Sequence, residues 1–172
     1  MKALFVVSPR DPQHRGVRAD REARALKQAG WEIDFLRWTP FGIPSKGLFR
    51  RINTYMESCM VLEGEIYDKS PDLIIAHDIE MLRPSVRMAR WLGVPVLYNS
   101  HEDWPRLIAK NSRVESVLAW LAERRYRADH VLAVSEPVAR RFPRATVFYN
   151  APWQDEVKLV QTCEWRNAPT LV

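Results

Sequence analysis

Cysteine is nearly absent from this sequence of 172 residues: there are two, Cys59 in a helix-like stretch and Cys163 near the carboxyl end. Two thiols without metal-ligand spacing and without a secretory leader beside them give no disulfide framework and no thiolate metal site, so a reduced, cytoplasmic setting fits best. Long apolar runs are missing as well. The run from Leu4 to Val7 is too short for the core of a signal peptide, and nothing approaches the ~20 apolar residues that span a bilayer. Glycine is sparse, and Gly16 is the only one between Ser8 and the first helix-like segment. No Gly-x-Gly-x-x-Gly follows the first strand, which argues against a dinucleotide pyrophosphate loop and an NAD enzyme. Helix-turn-helix, zinc-finger and RNA-recognition signatures are lacking, so nucleic acid is not an expected partner. There are no internal repeats and no low-complexity segments.

What remains is an ordinary globular composition, 47% hydrophobic and 27% charged, in a chain long enough to bury roughly 70% of its unfolded surface. The net charge is +5, with arginines grouped at Arg50-Arg51, Arg124-Arg125 with Arg127, and Arg140-Arg141. That balance favours anionic partners without choosing among them.

Four apolar runs, Ala3 to Val7, Leu73 to Ala76, Val94 to Tyr98 and Val131 to Val134, lack the alternation of a one-sided sheet and read as parallel strands buried on both faces. Trp31 to Leu36 and Thr146 to Tyr149 are weaker strands, making six. Between them lie helical patterns. Val17 to Ala29 places Ala19, Ala23 and Leu26 on one face, with Gly30 as its stop. Leu48 to Tyr67 carries Ile52, Tyr55, Met56, Cys59 and Met60 at helical spacing, and Glu80 to Leu92 carries Leu82, Val86 and Ala89 before Gly93. Ser112 and Glu115 form a capping box ahead of Val114, Val117, Leu118 and Leu121, and Ser135 with Pro137 opens a short helix reaching Phe142. Strand and helix in alternation predict an α/β, Rossmann-like doubly wound parallel sheet with helices on both faces, whose ligands bind beyond the carboxyl ends of the strands.

Those ends are polar: Ser8-Pro9-Arg10-Asp11, His77-Asp78, Ser100-His101-Glu102-Asp103 and Ser135-Glu136. In a parallel sheet they share one edge and converge on a single crevice. The same side chains could simply cap the following helices, as expected of Ser135 and equally open for Asp78. Histidine is a poor cap, yet it stands at two of the four ends, His77 and His101. His14 and His130 have no such placement and read as incidental. A metal site from His77, Asp78, His101 and Glu102 lacks the tight spacing of known ligand motifs and is not expected.

Read in order, Pro71-Asp72-Leu73-Ile74-Ile75-Ala76-His77-Asp78, Gly93-Val94-Pro95-Val96-Leu97-Tyr98-Asn99-Ser100-His101-Glu102, Ala128-Asp129-His130-Val131-Leu132-Ala133-Val134-Ser135-Glu136 and Tyr149-Asn150-Ala151-Pro152 resemble the blocks of family-four glycosyltransferases, in that family's order. Arg18 to Gly30 resembles the family's first helix. The resemblance implies a retaining enzyme of GT-B fold, with two Rossmann-like domains facing across a cleft. Residues 1–150 would be the amino-terminal, acceptor-side domain. Residues 151–172 would be a linker and the start of a nucleotide-sugar domain, whose opening strand Thr170-Leu171-Val172 resembles. The basic residue that grips the pyrophosphate and the family's paired glutamates would lie in that second domain, so this chain alone is expected to be inactive. No cofactor is implied, the nucleotide-sugar being a substrate.

The resemblance gives His101 the leading catalytic role, since several family members present a histidine to the donor sugar from this position. Glu102 would orient His101 or the acceptor, His77 and Asp78 would line the same wall, and Ser135, Glu136 and Arg10 complete the expected substrate-binding set. Arg10 lies in a loop that departs from the family's paired glycines, which weakens a phosphate contact there. Lys46, Arg50 and Arg51 beside Leu48 and Phe49 are a basic and apolar combination suited to peripheral docking on the inner face of a membrane, although a solvated helix face is the plainer reading. The expected partners are a glycan or lipid-linked acceptor and a nucleotide-sugar held by a carboxyl-terminal domain or partner subunit. Two other readings stay open: a non-catalytic acceptor- or membrane-binding subunit of a split transferase, and a sugar-nucleotide epimerase-like domain.

Overall fold

The structure, a computed structural model, describes residues 1–7, 17–37, 47–110 and 112–148. The expected domain boundary at 150, the segment 151–172, Arg10 and Lys46 lie outside the described residues. In chain order the elements are β1 (Lys2–Val7), α1 (Val17–Gln28), β2 (Glu32–Arg37), α2 (Leu48–Lys69), β3 (Leu73–His77), α3 (Ile79–Leu92), β4 (Val96–Ser100), α4 (Trp104–Ala109), α5 (Arg113–Arg125), β5 (His130–Ala133), α6 (Glu136–Ala139) and β6 (Ala145–Val147). Among the described residues the six strands form one sheet in the order β2-β1-β3-β4-β5-β6, every neighbouring pair parallel. The chain winds one way from β1 to β2 and the other way from β3 onward. The switch point between β1 and β3 is where such sheets open a crevice at their carboxyl edge.

The unbroken apolar run of β1 has its reason in two cores. Leu4 and Val6 face α2 and α3, packing with Leu62, Ile66, Ile74, Leu82 and Val86. Ala3, Phe5 and Val7 face the other way, onto Ala19 and Ala23 of α1 and Ile75 of β3. Burying a side chain of leucine or phenylalanine size contributes ~1.5–3 kcal/mol, so each layer is held by the strand residues of its own parity.

Registration at the amino edge rests on an aspartate. The Asp72 carboxylate accepts from the Lys2 backbone N–H at 2.7 Å, while the Asp72 N–H donates to the Lys2 carbonyl at 2.9 Å. Gly30 (φ 87°) and Gly93 (φ 70°) end α1 and α3 in the left-handed conformation expected of them.

Four expectations change. β4 begins two residues later, because Val94 is still bonded back to the Ala89 carbonyl as α3 ends and Pro95 has no N–H to give a ladder. The buried face of α2 is Cys59, Leu62 and Ile66, whereas Ile52, Met56 and Met60 of the expected stripe are exposed. In α5 the Ser112 hydroxyl does accept from the Glu115 N–H, but Val114, Val117, Leu118 and Leu121 are exposed and the helix buries Ala119 and Glu123 instead. The helix α4 was not expected. Asp103 caps it by accepting from the Arg106 N–H, and Pro105 sits in its first turn.

Candidate functional site

The crevice at the switch point is built around a buried carboxylate. Arg18 and Glu22, four residues apart on α1, share the sheet-facing side of the helix with Ala19 and Ala23, and all four are buried. The Arg18 Nε–H donates to Glu22 Oε1 at 3.0 Å, and the side-chain amide of Asn99, from β4, donates to the same oxygen. The other oxygen, Oε2, lies 3.2 Å from His77 Nε2. The contact is one of ion-pair distance outside hydrogen-bond geometry, and neither atom has a hydrogen-bond partner.

His77 ends β3 and is 3% exposed. Its Nδ1 lies 2.9 Å from Nε2 of His101, the first residue past β4, and the two rings are 5.1 Å apart. Phe5 closes the far side of His77 with ring centroids 5.7 Å apart. A continuous polar line therefore runs from α1 through β3 to the β4 end: Glu22, His77, His101.

The electrostatics follow from this burial. Desolvation pushes the Glu22 carboxyl up, but the close approach of His77 and Arg18 outweighs it and holds the group below the ordinary carboxylate range. His101 is pushed down to about 3, by burial first and then by the charges of His77 and Arg18. It is thus a neutral imidazole at physiological pH, suited to hydrogen bonding and poorly suited to carrying a proton. Arg18 stacks its guanidinium 5.4 Å from the Phe148 ring, and its two buried Nη groups make no hydrogen bond.

The other expected residues are placed as follows. Asp78 stands at the start of α3 with φ 71° and makes no side-chain cap; positive φ in a non-glycine residue is a strained conformation found often at functional sites. Ser135 stands at the start of α6, and the capping bond expected of it is not made. Glu102 and Glu136 are exposed at the rim. The group that meets the His101 ring is His77 and not Glu102, whose backbone carbonyl instead receives the Ser100 hydroxyl at 3.2 Å. Among the described residues no group of three or more His, Cys, Asp and Glu side chains is disposed to hold a metal.

Arg18, Glu22 and Asn99 are not among the site residues expected from the sequence. The signal was available: two charged residues at i and i+4 sit among the alanines of an apolar stripe, where a solvated face would not place them.

The arginines of the carboxyl half serve other ends. Arg141 pairs with Asp103 at 2.6 Å and with buried Glu123, and Arg124 lies over the Trp120 ring. A groove of about 940 Å³ lined by Trp120, Glu123, Arg124, Arg141, Tyr126 and Arg144 opens beside the amino ends of β5 and β6, away from His101.

Residues 16–150 match the family model described as Glycosyltransferase Family 4. The chain belongs to this family. Its Rossmann-like sheet is the amino-terminal unit of a GT-B fold, and solved structures agree on that architecture. MurG of Acinetobacter baumannii is 14% identical, with 90% of this chain covering 46% of that one at a TM-score of 0.55. The glycotransferase of kitacinnamycin is 10% identical, with 89% covering 52% at 0.58. The UDP-GlcNAc 2-epimerase of Methanocaldococcus jannaschii is 14% identical, with 82% covering 41% at 0.53. This family 4 chain thus spans about half the length of the solved proteins it matches. No curated protein matches it significantly.

Proposed function

We propose that this chain is the acceptor-side domain of a retaining glycosyltransferase that moves a sugar from a nucleotide-sugar to a glycan or lipid-linked acceptor. The donor is held mainly by a further domain or a partner subunit. The observation that carries the reading is the polar line at the switch point, which ends in a neutral imidazole at the carboxyl edge. Sugar transfer needs hydroxyl groups and a diphosphate fixed in one geometry while the acceptor hydroxyl loses its proton. His101 supplies a hydrogen-bonding ring for a hydroxyl. The unpaired Nη groups of Arg18 are costly buried donors that a substrate anion would satisfy. His77 and Asp78 line the wall beneath, and Glu102, Ser135 and Glu136 form its rim; Arg10 remains a candidate contact from the loop after β1.

The test uses the complete protein with its donor-binding part. His101→Ala should lower transfer from labelled nucleotide-sugar by a factor of about 100, on the order of the loss when a positioning contact is removed, while thermal unfolding stays within a few degrees. Unchanged turnover removes His101 from the reaction. The isolated 172-residue chain should transfer nothing.

UDP-GlcNAc 2-epimerases share this architecture, which gives a second reading of the same crevice: isomerisation of the nucleotide-sugar itself. Product analysis without acceptor separates them, since an epimerase forms a new nucleotide-sugar and a transferase does not.

Peripheral membrane contact has its own support. Phe49 is 85% exposed at the start of α2, and the Arg51–Glu115 ion pair, 2.6 Å, joins that end to the start of α5 with its exposed Val114, Val117 and Leu118. No helix among the described residues is long and apolar enough to cross a membrane, so the contact we propose is at the surface, with arginines toward anionic headgroups.

A further inference from the structure

We infer that Glu22 acts through His77 as a positioning residue, fixing the His101 ring with its proton on Nε2 and a bare, hydrogen-bond-accepting Nδ1. What that Nδ1 does, receiving a substrate hydroxyl, rests on the transferase reading above; the tautomer itself does not.

The inference follows from counting protons along the line. An ionised carboxylate only accepts. Oxygen Oε1 of Glu22 already takes two donors, Arg18 Nε–H and the Asn99 amide. Oxygen Oε2 lies 3.2 Å from His77 Nε2, within ion-pair distance although outside hydrogen-bond geometry, and both atoms are buried without another partner, so the proton of a neutral His77 belongs on Nε2; a bare nitrogen lone pair that close to a buried carboxylate oxygen would be repelled. A neutral imidazole has one N–H, so Nδ1 of His77 must accept. Its partner at 2.9 Å is Nε2 of His101, which therefore donates. His101 has then used its only proton, and its Nδ1 is left as an acceptor. Each assignment forces the next, from a buried helix residue to the ring at the carboxyl edge.

The orientation of Asn99 and Arg18 makes a sharp test possible. In Glu22→Gln the side-chain carbonyl must stay on the two donors that Oε1 now receives, so the new amide NH2 points at His77 Nε2. His77 must then accept there and donate from Nδ1, and His101 must accept on Nε2 and carry its proton on Nδ1. Both rings switch. A role for Glu22 in packing alone would leave the tautomers where they were.

The experiment is long-range 15N–1H correlation NMR on the uniformly labelled 172-residue chain at neutral pH, with His77→Gln and His101→Gln giving the ring assignments. In the wild type both rings should show a protonated Nε2 and a bare Nδ1, with the shared proton covalently on His101 Nε2. Glu22→Gln should convert both to the Nδ1–H form. A doubly protonated His77, an Nδ1–H form of either ring in the wild type, or unchanged tautomers in a folded Glu22→Gln overturns the inference. If Glu22→Gln does not fold, the side of the His77–His101 bond that carries the proton in the wild type decides alone. Loss of the transferase reading with these tautomers in place would leave Glu22's role standing, and the reverse result would leave the transferase reading standing.

Discussion

Asp129 holds Val96 by two backbone atoms: its carboxylate accepts from the Val96 N–H at 2.8 Å, and its own N–H donates to the Val96 carbonyl at 2.9 Å. Asp72 does the same to Lys2 between β1 and β3. These aspartates sit at the amino edge, far from His101. Their recurrence in the Pro-Asp and Ala-Asp openings of two sequence blocks is a matter of strand registration and not of substrate. Asp129→Ala should lower stability in urea unfolding by ~1–2 kcal/mol, the usual result of orphaning a backbone donor, with Asp129→Asn losing less because its carbonyl can still accept. Equal losses for the two would show that the charge matters and the acceptor does not.

Acid should weaken this domain through the crevice. An unfolded His101 binds a proton near its ordinary 6.5, whereas the folded ring resists until about 3. Stability is then highest above pH 6.5 and falls as pH drops through that window, by on the order of 2–3 kcal/mol near pH 4.5 at about 1.4 kcal/mol per unit. Glu22 works in the same direction: its folded pKa is lowered, so its contribution is present above the unfolded value of 4.5 and lost below it. The groups facing His101 are His77, Arg18 and Glu22. Urea midpoints against pH should show this slope in the wild type and lose most of it between pH 6.5 and 4.5 in His101→Asn. A retained slope would place the acid sensitivity elsewhere.

The pattern of strand and helix was legible because burial on both sides writes itself as uninterrupted apolar runs, and Gly30 and Gly93 mark helix ends by a conformation few other residues adopt. What misled was polarity inside the core. Asn99 and Ser100 are fully buried strand residues, and their polarity makes β4 look as if it ends before them. Glu22 does not stand out in the sequence, because a carboxylate normally marks the wet face of a helix. The site was half visible: His77 and His101 declared themselves by position, while the residue that links them to α1 is remote in sequence and belongs to no local pattern.

The clamp made by Arg141 should be the most damaging single loss outside the two cores. Glu123 has a side chain only 3% exposed and meets Arg141, which also reaches Asp103 at the start of α4. Arg141→Ala leaves a buried carboxylate without its cation and should cost ~3 kcal/mol or more in chemical denaturation. Restoring part of that stability with the double change Glu123→Gln and Arg141→Ala would identify the stranded charge as the cause.

Gly93 offers a cleaner backbone test. A Cβ there meets nothing within 4 Å, yet φ is +70°. Gly93→Ala should therefore lose ~1–2 kcal/mol from backbone conformation alone, and Gly93→Asn visibly less. A neutral Gly93→Ala in thermal unfolding would show that α3 can end another way.

The unequal thickness of the two cores gives the molecule a soft side. Among the described residues fifteen buried side chains make up the layer toward α2 and α3, and six make up the layer toward α1, two of them alanines on the helix itself. Cooperative opening under native conditions starts where apolar contact is thinnest, so the amides of α1 should exchange with deuterium well before those of α3. Since Glu22 rides on α1, each such excursion would also detach the carboxylate from His77. The lifetime of a competent crevice would then be set by how long one lightly anchored helix stays docked.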